Sequence, residues 1–246
     1  MRAIILNAGE GKRLRPLTNS KPKCLLKIND VTILEHQIFN ITEFDVKEIV
    51  IVVGYYANQV IEKVKKSFNL EVKFVLNPIF YKTNTVYSLW LARKFIKESD
   101  FIYLNGDVVF HREVLKRLLD SCYDNCIAVE RKLVGEEEVK VVLGSNNIVK
   151  VIGKNIELSK AYGEFIGIAK FSKNFSGLFI NKLDEVVGEG LINEFFEVAL
   201  NRALKNYEVY AVDISGIPCI EVDTYEDFNT AKKIYSKIFE EKGKSD

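Results

Sequence analysis

Residues 6–27 read LNAGEGKRLRPLTNSKPKCLLK and follow the apolar run Ala3-Ile4-Ile5-Leu6, so a glycine-bearing, strongly basic loop leaves the end of a buried strand. Gly9 and Gly11 carry no Cβ to fence off the main-chain N–H groups, so the backbone can turn tightly and approach a ligand. Lys12, Arg13, Arg15, Lys21, Lys23 and Lys27 place cations around the same turn. The combination suits a triphosphate. A dinucleotide fingerprint would need a third glycine where Leu14 stands and an acidic residue after the second strand, where Val53-Gly54-Tyr55 stands. A P-loop would need Ser or Thr after Gly11-Lys12 and a helix directly after it, but Arg13 follows, and Pro16 and Pro22 forbid an early helix. A merely solvated lysine-rich loop, or a basic stretch for nucleic acid, has no need of this glycine and proline spacing.

Composition bounds the remaining possibilities. A chain of 246 residues with 48% hydrophobic content can bury a full core. The balance of 35 basic against 34 acidic residues argues against bulk electrostatic binding to nucleic acid or membrane. From Met1 onward there is no basic leader, cleavage site or apolar stretch long enough to span a bilayer, so the expected location is cytoplasmic, with no membrane insertion. Cys24, Cys122, Cys126 and Cys219 are scattered, with three residues between Cys122 and Cys126 and no histidine beside them. Free thiols are expected in preference to zinc or disulfides.

Strand-like runs alternate with amphipathic helices through the first half, the mark of βαβ units. Ala3 to Leu6, Glu48 to Val53, Val72 to Leu76 and Phe101 to Leu104 read as strands, and Thr32 to Phe44, Asn58 to Phe68, Val86 to Ile96 and His111 to Leu119 as helices. Residues 126–171 switch to short β-branched stretches separated by Gly144-Ser145-Asn146-Asn147 and Gly153-Lys154-Asn155, which predicts hairpins flanking the main sheet. Helices over Asn174 to Val187 and Ile192 to Leu204, a strand over Val209 to Val212 and a last helix over Tyr225 to Phe239 complete the pattern. The expected fold is α/β, a Rossmann-like mixed, mostly parallel sheet flanked by helices. It forms one domain over residues 1–240 with a small β-hairpin insertion, and the charged residues 241–246 read as a disordered tail.

Asp107 ends the run Phe101-Ile-Tyr-Leu-Asn-Gly-Asp107, and ligands of open parallel sheets bind at the carboxyl ends of strands. A carboxylate there can hold Mg²⁺ together with substrate phosphates, while an Asp in the turn after Asn105-Gly106 needs no function. Asp223 stands at the end of another strand and the mouth of the last helix, where Thr224 and Asp227 would form a cap and make it part of a helix start. Asn84, Thr85 and Ser88 cluster at a helix start, where donors can meet a base edge or a ribose and where Asn84 or Thr85 can equally serve as the cap. Tyr87 and Trp90 read as packing, and His36 and His111 show no catalytic pattern.

The pattern carried by Leu6, Ala8, Gly9, Gly11, Arg13, Pro16, Leu17, Thr18, Pro22, Lys23 and Leu25 resembles the signature of the sugar nucleotidyltransferase (pyrophosphorylase) superfamily. Asn77-Pro78, the stretch Asn84-Thr-Val-Tyr-Ser-Leu-Trp-Leu-Ala92, Leu104-Asn-Gly-Asp-Val-Val-Phe110 and Gly163-Glu-Phe-Ile-Gly167 extend the resemblance toward its CTP:phosphocholine cytidylyltransferase branch. The resemblance implies that Leu6, Asn7, Ala8, Gly9 and Gly11 hold the nucleoside triphosphate, joined by Asn84, Thr85 and Ser88 at the base. It implies that Arg13 contacts the phosphates and Lys23 stabilises charge as pyrophosphate leaves, with Mg²⁺ on Asp107 and Asp223. Glu164 would lie by a small phosphorylated acceptor, and Lys132 and Lys140, with Arg131, could bind its phosphate; as residues of a solvated hairpin they need no such role. Choline-activating members tend to place aromatic residues before the C-terminal metal aspartate, whereas Ile217-Pro218-Cys219-Ile220 stands here. Phosphocholine, an aminoalkyl phosphonate, an inositol phosphate and a sugar phosphate therefore all stay open. The expected activity is transfer of CMP from CTP with release of pyrophosphate. The alternatives are a UTP- or dTTP-dependent sugar-1-phosphate transferase and a nucleotide-sensing domain without chemistry. The oligomeric state is open, a homodimer included.

Overall fold

The computed structural model describes residues 1–242, with side chains through residue 236. Among them the strands are β1 (Arg2–Asn7), β2 (Lys27–Ile28), β3 (Val31–Thr32), β4 (Glu48–Val53), β5 (Val72–Leu76), β6 (Phe101–Asn105), β7 (Val108–Phe110), β8 (Cys126–Glu130), β9 (Lys140–Leu143), β10 (Val149–Gly153), β11 (Gly163–Phe171), β12 (Tyr210–Asp213) and β13 (Cys219–Glu221). The helices are α1 (Ile33–Thr42), α2 (Ala57–Ser67), α3 (Thr85–Leu91), α4 (Arg93–Ile96), α5 (Glu113–Asp120), α6 (Lys173–Gly188), α7 (Glu197–Ala203) and α8 (Tyr225–Lys242).

One mixed sheet runs in the order β10-β9-β11-β6-β1-β4-β5, with β8 beside β11 and β12 beside β8. β1 lies parallel to β4 and β6, and β4 to β5, while β11 joins β6 antiparallel. Because side chains alternate across a strand, Ile4, Leu6, Val50, Val52, Phe101 and Tyr103 pack against Leu89 of α3, Phe179 of α6 and Leu200 of α7. Ala3, Ile5, Ile49, Ile51, Ile102 and Leu104 face the other way, onto Leu34 of α1, Val60 of α2 and Leu115 of α5. Burial on both faces explains why these strands read as unbroken apolar runs rather than alternating ones. A third cluster joins Leu14, Leu26 and Ile28 from the basic loop region to Val109, Val222 and, on α8, Phe228 and Ala231. The last helix therefore props the first loop.

Three differences from the sequence reading have physical causes. The strands of residues 126–171 extend the main sheet itself, β11 pairing with β6, β8 and β9, and the β9–β10 hairpin forms its edge. The helix expected over Val86 to Ile96 divides into α3 and α4 at Ala92, where ψ is −2° and the N–H turns back to the carbonyls of Leu89 and Trp90. The helix expected from Ile192 starts only at Glu197, because the carbonyls of Ile192 and Glu194 accept from the N–H groups of Asn84 and Val86 at the start of α3. Tertiary capping of one helix delays the other. The four cysteines are free, and among the described residues no helix is long and apolar enough to cross a membrane. The charged tail expected over 241–246 lies, from residue 243, outside the described residues.

The turn between β6 and β7 touches the end of β1 closely. A Cβ on Gly106 would stand 1.8 Å from Asn7 Oδ1 and 2.4 Å from the carbonyl oxygen of Leu6, whose partner is the N–H of Gly106 itself. Gly106→Ala should therefore destabilise the chain by about 1–3 kcal/mol, the usual range for overpacking, measured by denaturant unfolding; an unchanged midpoint would contradict this packing.

Candidate functional site

β1 delivers the basic loop to the carboxyl end of the sheet. Gly11 adopts φ +63°, a left-handed turn into the short helix Lys12–Leu14, and a Cβ there would press on Lys23 Cβ at 3.0 Å. Thr18 Oγ1 donates to the carbonyl of Gly11 at 2.9 Å. Residues at the start of α2 then clamp the loop: the hydroxyls of Tyr55 and Tyr56 donate to the carbonyls of Thr18 and Asn19, and Gln59 Nε2 donates to Ser20. A loop this basic is thus held by neutral donors on its carbonyls, which leaves its cations for other partners.

Lys23 Nζ meets Asp107 Oδ2 at 2.6 Å and Asp223 Oδ1 at 2.9 Å, while Arg13 reaches Asp223 Oδ2 at 2.7 Å. Burial alone would favour the neutral Lys23, but the charges and hydrogen bonds of the two aspartates outweigh it and hold the ammonium's pKa above the usual lysine value. Burial likewise opposes the Asp223 carboxylate, and Lys23 and Arg13 reverse the balance and lower its pKa. The stability gained at Asp223 is present above the usual carboxylate pKa and lost as pH falls through the lowered value. That gained at Lys23 is present below the usual lysine pKa and lost as pH rises through the raised one. Between the reference values of 3.8 and 10.5 both Asp223 and Lys23 are charged.

Asp107 and Asp223 lie 116 residues apart in sequence and are joined by a short ladder. β13 pairs antiparallel with β7, matching Glu221 to Val108, and the N–H of Val222 donates to the carbonyl of Asp107. The cap expected at the last helix is also present, Asp227 accepting from the N–H groups of Asp223 and Thr224 and donating its own N–H to Thr224 Oγ1. The cap uses the backbone of residue 223 and leaves its carboxylate to the cleft. Behind the pair, Tyr103 OH donates to Asn105 Oδ1 and Asn105 Nδ2 donates to Glu221 Oε1. Burial, with Asp107 nearby, drives the Glu221 carboxyl well above the usual carboxylate range.

Leu6, Asn7, Ala8, Gly9, Gly11, Arg13 and Lys23 line one cleft together with Asn84, Thr85, Ser88, Asp107 and Asp223. Asn84 Oδ1 caps α3 through the N–H of Thr85, Thr85 Oγ1 accepts from the N–H of Phe196, and Ser88 Oγ accepts from Asn77 Nδ2. Capping and lining coexist. Among the described residues buried Asp107 Oδ1 finds no hydrogen-bond partner, and the adjacent donors are hard carboxylate oxygens. Among the described residues no group of three or more His, Cys, Asp or Glu gathers to hold a metal. Two carboxylates completed by substrate phosphates suit Mg²⁺, which binds through one or two carboxylates and keeps other positions for phosphates and water.

Of the residues expected at the acceptor, Glu164 and Lys132 pair with each other, Lys132 also reaching Glu130 at 3.1 Å, and neither lines the cleft. Lys140 requires a correction. Its side chain is buried and Nζ donates to the carbonyls of Glu136, Glu138 and Lys154 at 2.8, 3.3 and 2.7 Å, so its three donors serve the backbone. Arg131 lies over the ring of Tyr162. Tyr87 and Trp90 stack on each other, and Trp90 carries Arg93 on its face at 3.9 Å. His36 Nε2 lies within hydrogen-bond distance of the Phe110 carbonyl.

Sequence reasoning missed Lys154, Glu197 and Glu221, all of which line the cleft. Lys154 stood in a Gly-Lys-Asn turn read only as a separator, and Glu197 within a stretch read as mid-helix. Glu197 is buried, and burial pushes its carboxyl up to about 7 against the pull of its own N–H and of Lys154. An acidic residue inside the apolar run Phe195-Phe196-Glu197-Val198-Ala199-Leu200 was the one available signal.

Comparison with known proteins converges on this architecture. Residues 2–125 match the Nucleotidyl transferase family. The CTP:phosphoglutamine cytidylyltransferase of Campylobacter jejuni is 29% identical, over 92% of this chain and 97% of that protein. The choline-phosphate cytidylyltransferase of Streptococcus pneumoniae is 26% identical, over 95% and 98%. The inositol-1-phosphate CTP transferase of T. maritima shares the fold, with a TM-score of 0.81 at 23% identity over 96% of this chain and 95% of that one. The chain spans about half the length of the bifunctional relatives it also matches.

Lys23→Ala would leave Asp107 and Asp223 facing each other with Arg13 as the remaining ion-pair partner of Asp223. For a triad part-way between exposed and buried, a loss of about 2 kcal/mol is expected. Added Mg²⁺ should raise the melting temperature of this variant more than that of the parent chain, because it replaces the missing charge. Equal Mg²⁺ responses would contradict the assignment of the two carboxylates.

Proposed function

Because the chain belongs to the nucleotidyl transferase family and is an enzyme, we propose that it transfers CMP from CTP to a small phosphorylated acceptor and releases pyrophosphate. The observation that carries this reading is the ammonium of Lys23 between Asp107 and Asp223, at the mouth of a glycine loop and opposite the start of α3. CTP is favoured because two relatives that match nearly end to end are cytidylyltransferases by name.

In this mechanism an oxygen of the acceptor's phosphate forms a bond to the α-phosphorus as the bond to the β-phosphate oxygen breaks, and the electron pair leaves with pyrophosphate. No side-chain nucleophile is needed, because a phosphate monoester is already ionised at neutral pH. The chain contributes position and charge. Backbone N–H groups near Gly9 and Gly11 approach the triphosphate, Arg13 and Lys23 neutralise the departing phosphates, and Asn84, Thr85 and Ser88 hold the base and ribose. Lys154, brought to the cleft from the turn after β10 and fixed through its carbonyl by Lys140, receives the acceptor's phosphate. The Lys132–Glu164 pair, close enough to Glu221 for Glu164 to help raise that carboxyl, is assigned to the outer end of a longer acceptor. Asp107 and Asp223 would hold Mg²⁺, whose chemistry is to withdraw charge from the phosphates.

The test is pyrophosphate release with Mg²⁺ and each of CTP, UTP, dTTP, ATP and GTP against phosphocholine, 2-aminoethylphosphonate, inositol 1-phosphate, glycerol 3-phosphate and glucose 1-phosphate. Turnover with CTP and a non-sugar acceptor is expected. Turnover confined to UTP or dTTP with glucose 1-phosphate would overturn the proposal in favour of the sugar-nucleotide alternative. Asp107→Ala should lower turnover by roughly 10²–10³-fold, the scale of losing one charge-stabilising group, in a protein that still unfolds cooperatively; an active, folded variant would refute its role.

A further inference from the structure

Four buried side-chain atoms among the described residues have no hydrogen-bond partner, and three of them, on Asn7, Asp107 and Glu197, belong to residues lining the cleft. Asn7 and Asp107 belong to the nucleotide and metal side of the proposed mechanism. Glu197 does not. It opens α7 beside Phe195 and Phe196, is 4% exposed, and leaves Oε2 without a donor.

A buried, unpaired carboxylate oxygen is costly to leave unsatisfied. The nearby cation, Lys154, is not hydrogen-bonded to it: its Nζ lies 5.1 Å from the centroid of the Phe195 ring and 3.8 Å from Glu137 Oε2. Glu197 Oε2 therefore has no donor, and burial disfavours the charge of the carboxyl against the pull of its own N–H and of Lys154. Its position also limits the occupant. A carboxylate set against a triphosphate would repel it, so Glu197 suits the cationic end of the other substrate. A hydroxyl would supply the donor without the charge, and a quaternary ammonium the charge without the donor. A primary ammonium supplies both.

We propose that Glu197 is a specificity-determining residue that binds a primary ammonium on the acceptor, so that the enzyme selects phosphorylated acceptors bearing an amine. This rests on the reading of the chain as a transferase to a phosphorylated acceptor and narrows the acceptor's chemical class. With Lys154 at the phosphate and Glu197 at the amine, an acceptor of opposite terminal charges would be held at both ends.

Isothermal titration in the presence of Mg²⁺ and α,β-methylene-CTP tests this with phosphoethanolamine, phosphocholine and ethyl phosphate, three probes that differ only at the end remote from the phosphate. Phosphoethanolamine should bind about tenfold or more tightly than the other two, the scale of a hydrogen bond between charged groups. In Glu197→Gln, with folding checked by its thermal transition, that preference should disappear. The comparison among ligands on the parent protein can overturn the assignment even if the variant does not fold. Equal affinities, no binding of phosphoethanolamine, or a preference that survives in the glutamine variant would overturn the assignment. Pyrophosphate release with the same acceptors separates this failure from that of the wider reading. An amine preference accompanied by release only from UTP or dTTP would sink the CTP assignment and leave Glu197 standing, whereas CTP turnover at equal rates with all three acceptors would do the reverse.

Discussion

Asp107 and Asp223 stand within hydrogen-bond reach of one ammonium, so two like charges share one half-buried site. Their mutual repulsion is offset because Lys23 lies between the carboxylates and Arg13 supports one of them. Much of the surrounding architecture serves that constraint. The β7–β13 ladder fixes one carboxylate beside the other, the close contact of Gly106 with Asn7 sets the turn that presents Asp107, and Gly11 lets the chain return close enough to deliver Lys23. α8 packs under the same loop and ladder. The backbone that gathers these charges is set before any ligand arrives, so the change required when phosphates and metal bind is one of partners for the Lys23 and Arg13 side chains.

This constraint also explains what could be read from the sequence. The parallel strands were legible because both of their faces are covered, which leaves runs such as Ile49 to Val53 without a polar interruption. Asp107 was legible because it ends such a run, and Lys23 because glycine and proline spacing marks a loop that must come close to something. Asp223 was readable either as a metal-side carboxylate or as part of a helix start, and the cap uses its backbone while its side chain lines the cleft.

Lys154, Glu197 and Glu221 were not legible, because each depends on contacts between distant segments. The start of α7 is set by carbonyls that cap α3, a relationship that no local periodicity encodes, and it brings Glu197 to the cleft wall. Lys140 shows the converse error. A lysine in a β-branched hairpin looks solvated or free for phosphate, yet three backbone carbonyls converge on its ammonium and bury it. Its charge supports the turn that presents Lys154. In the proposed reaction the two lysines therefore act in series, one holding the other's backbone while the other meets the substrate.

The central claim is that the glycine loop, Lys23 and the two aspartates form one phosphate-transfer site, and a crystal structure of the chain with Mg²⁺ and α,β-methylene-CTP tests it most directly. The account predicts the triphosphate along residues 8–13, the metal on Asp107 and Asp223, and the ammonium of Lys23 moved from the carboxylates onto a phosphate. A nucleotide bound elsewhere, or a metal held without either aspartate while Lys23 keeps both of its present partners, would contradict it.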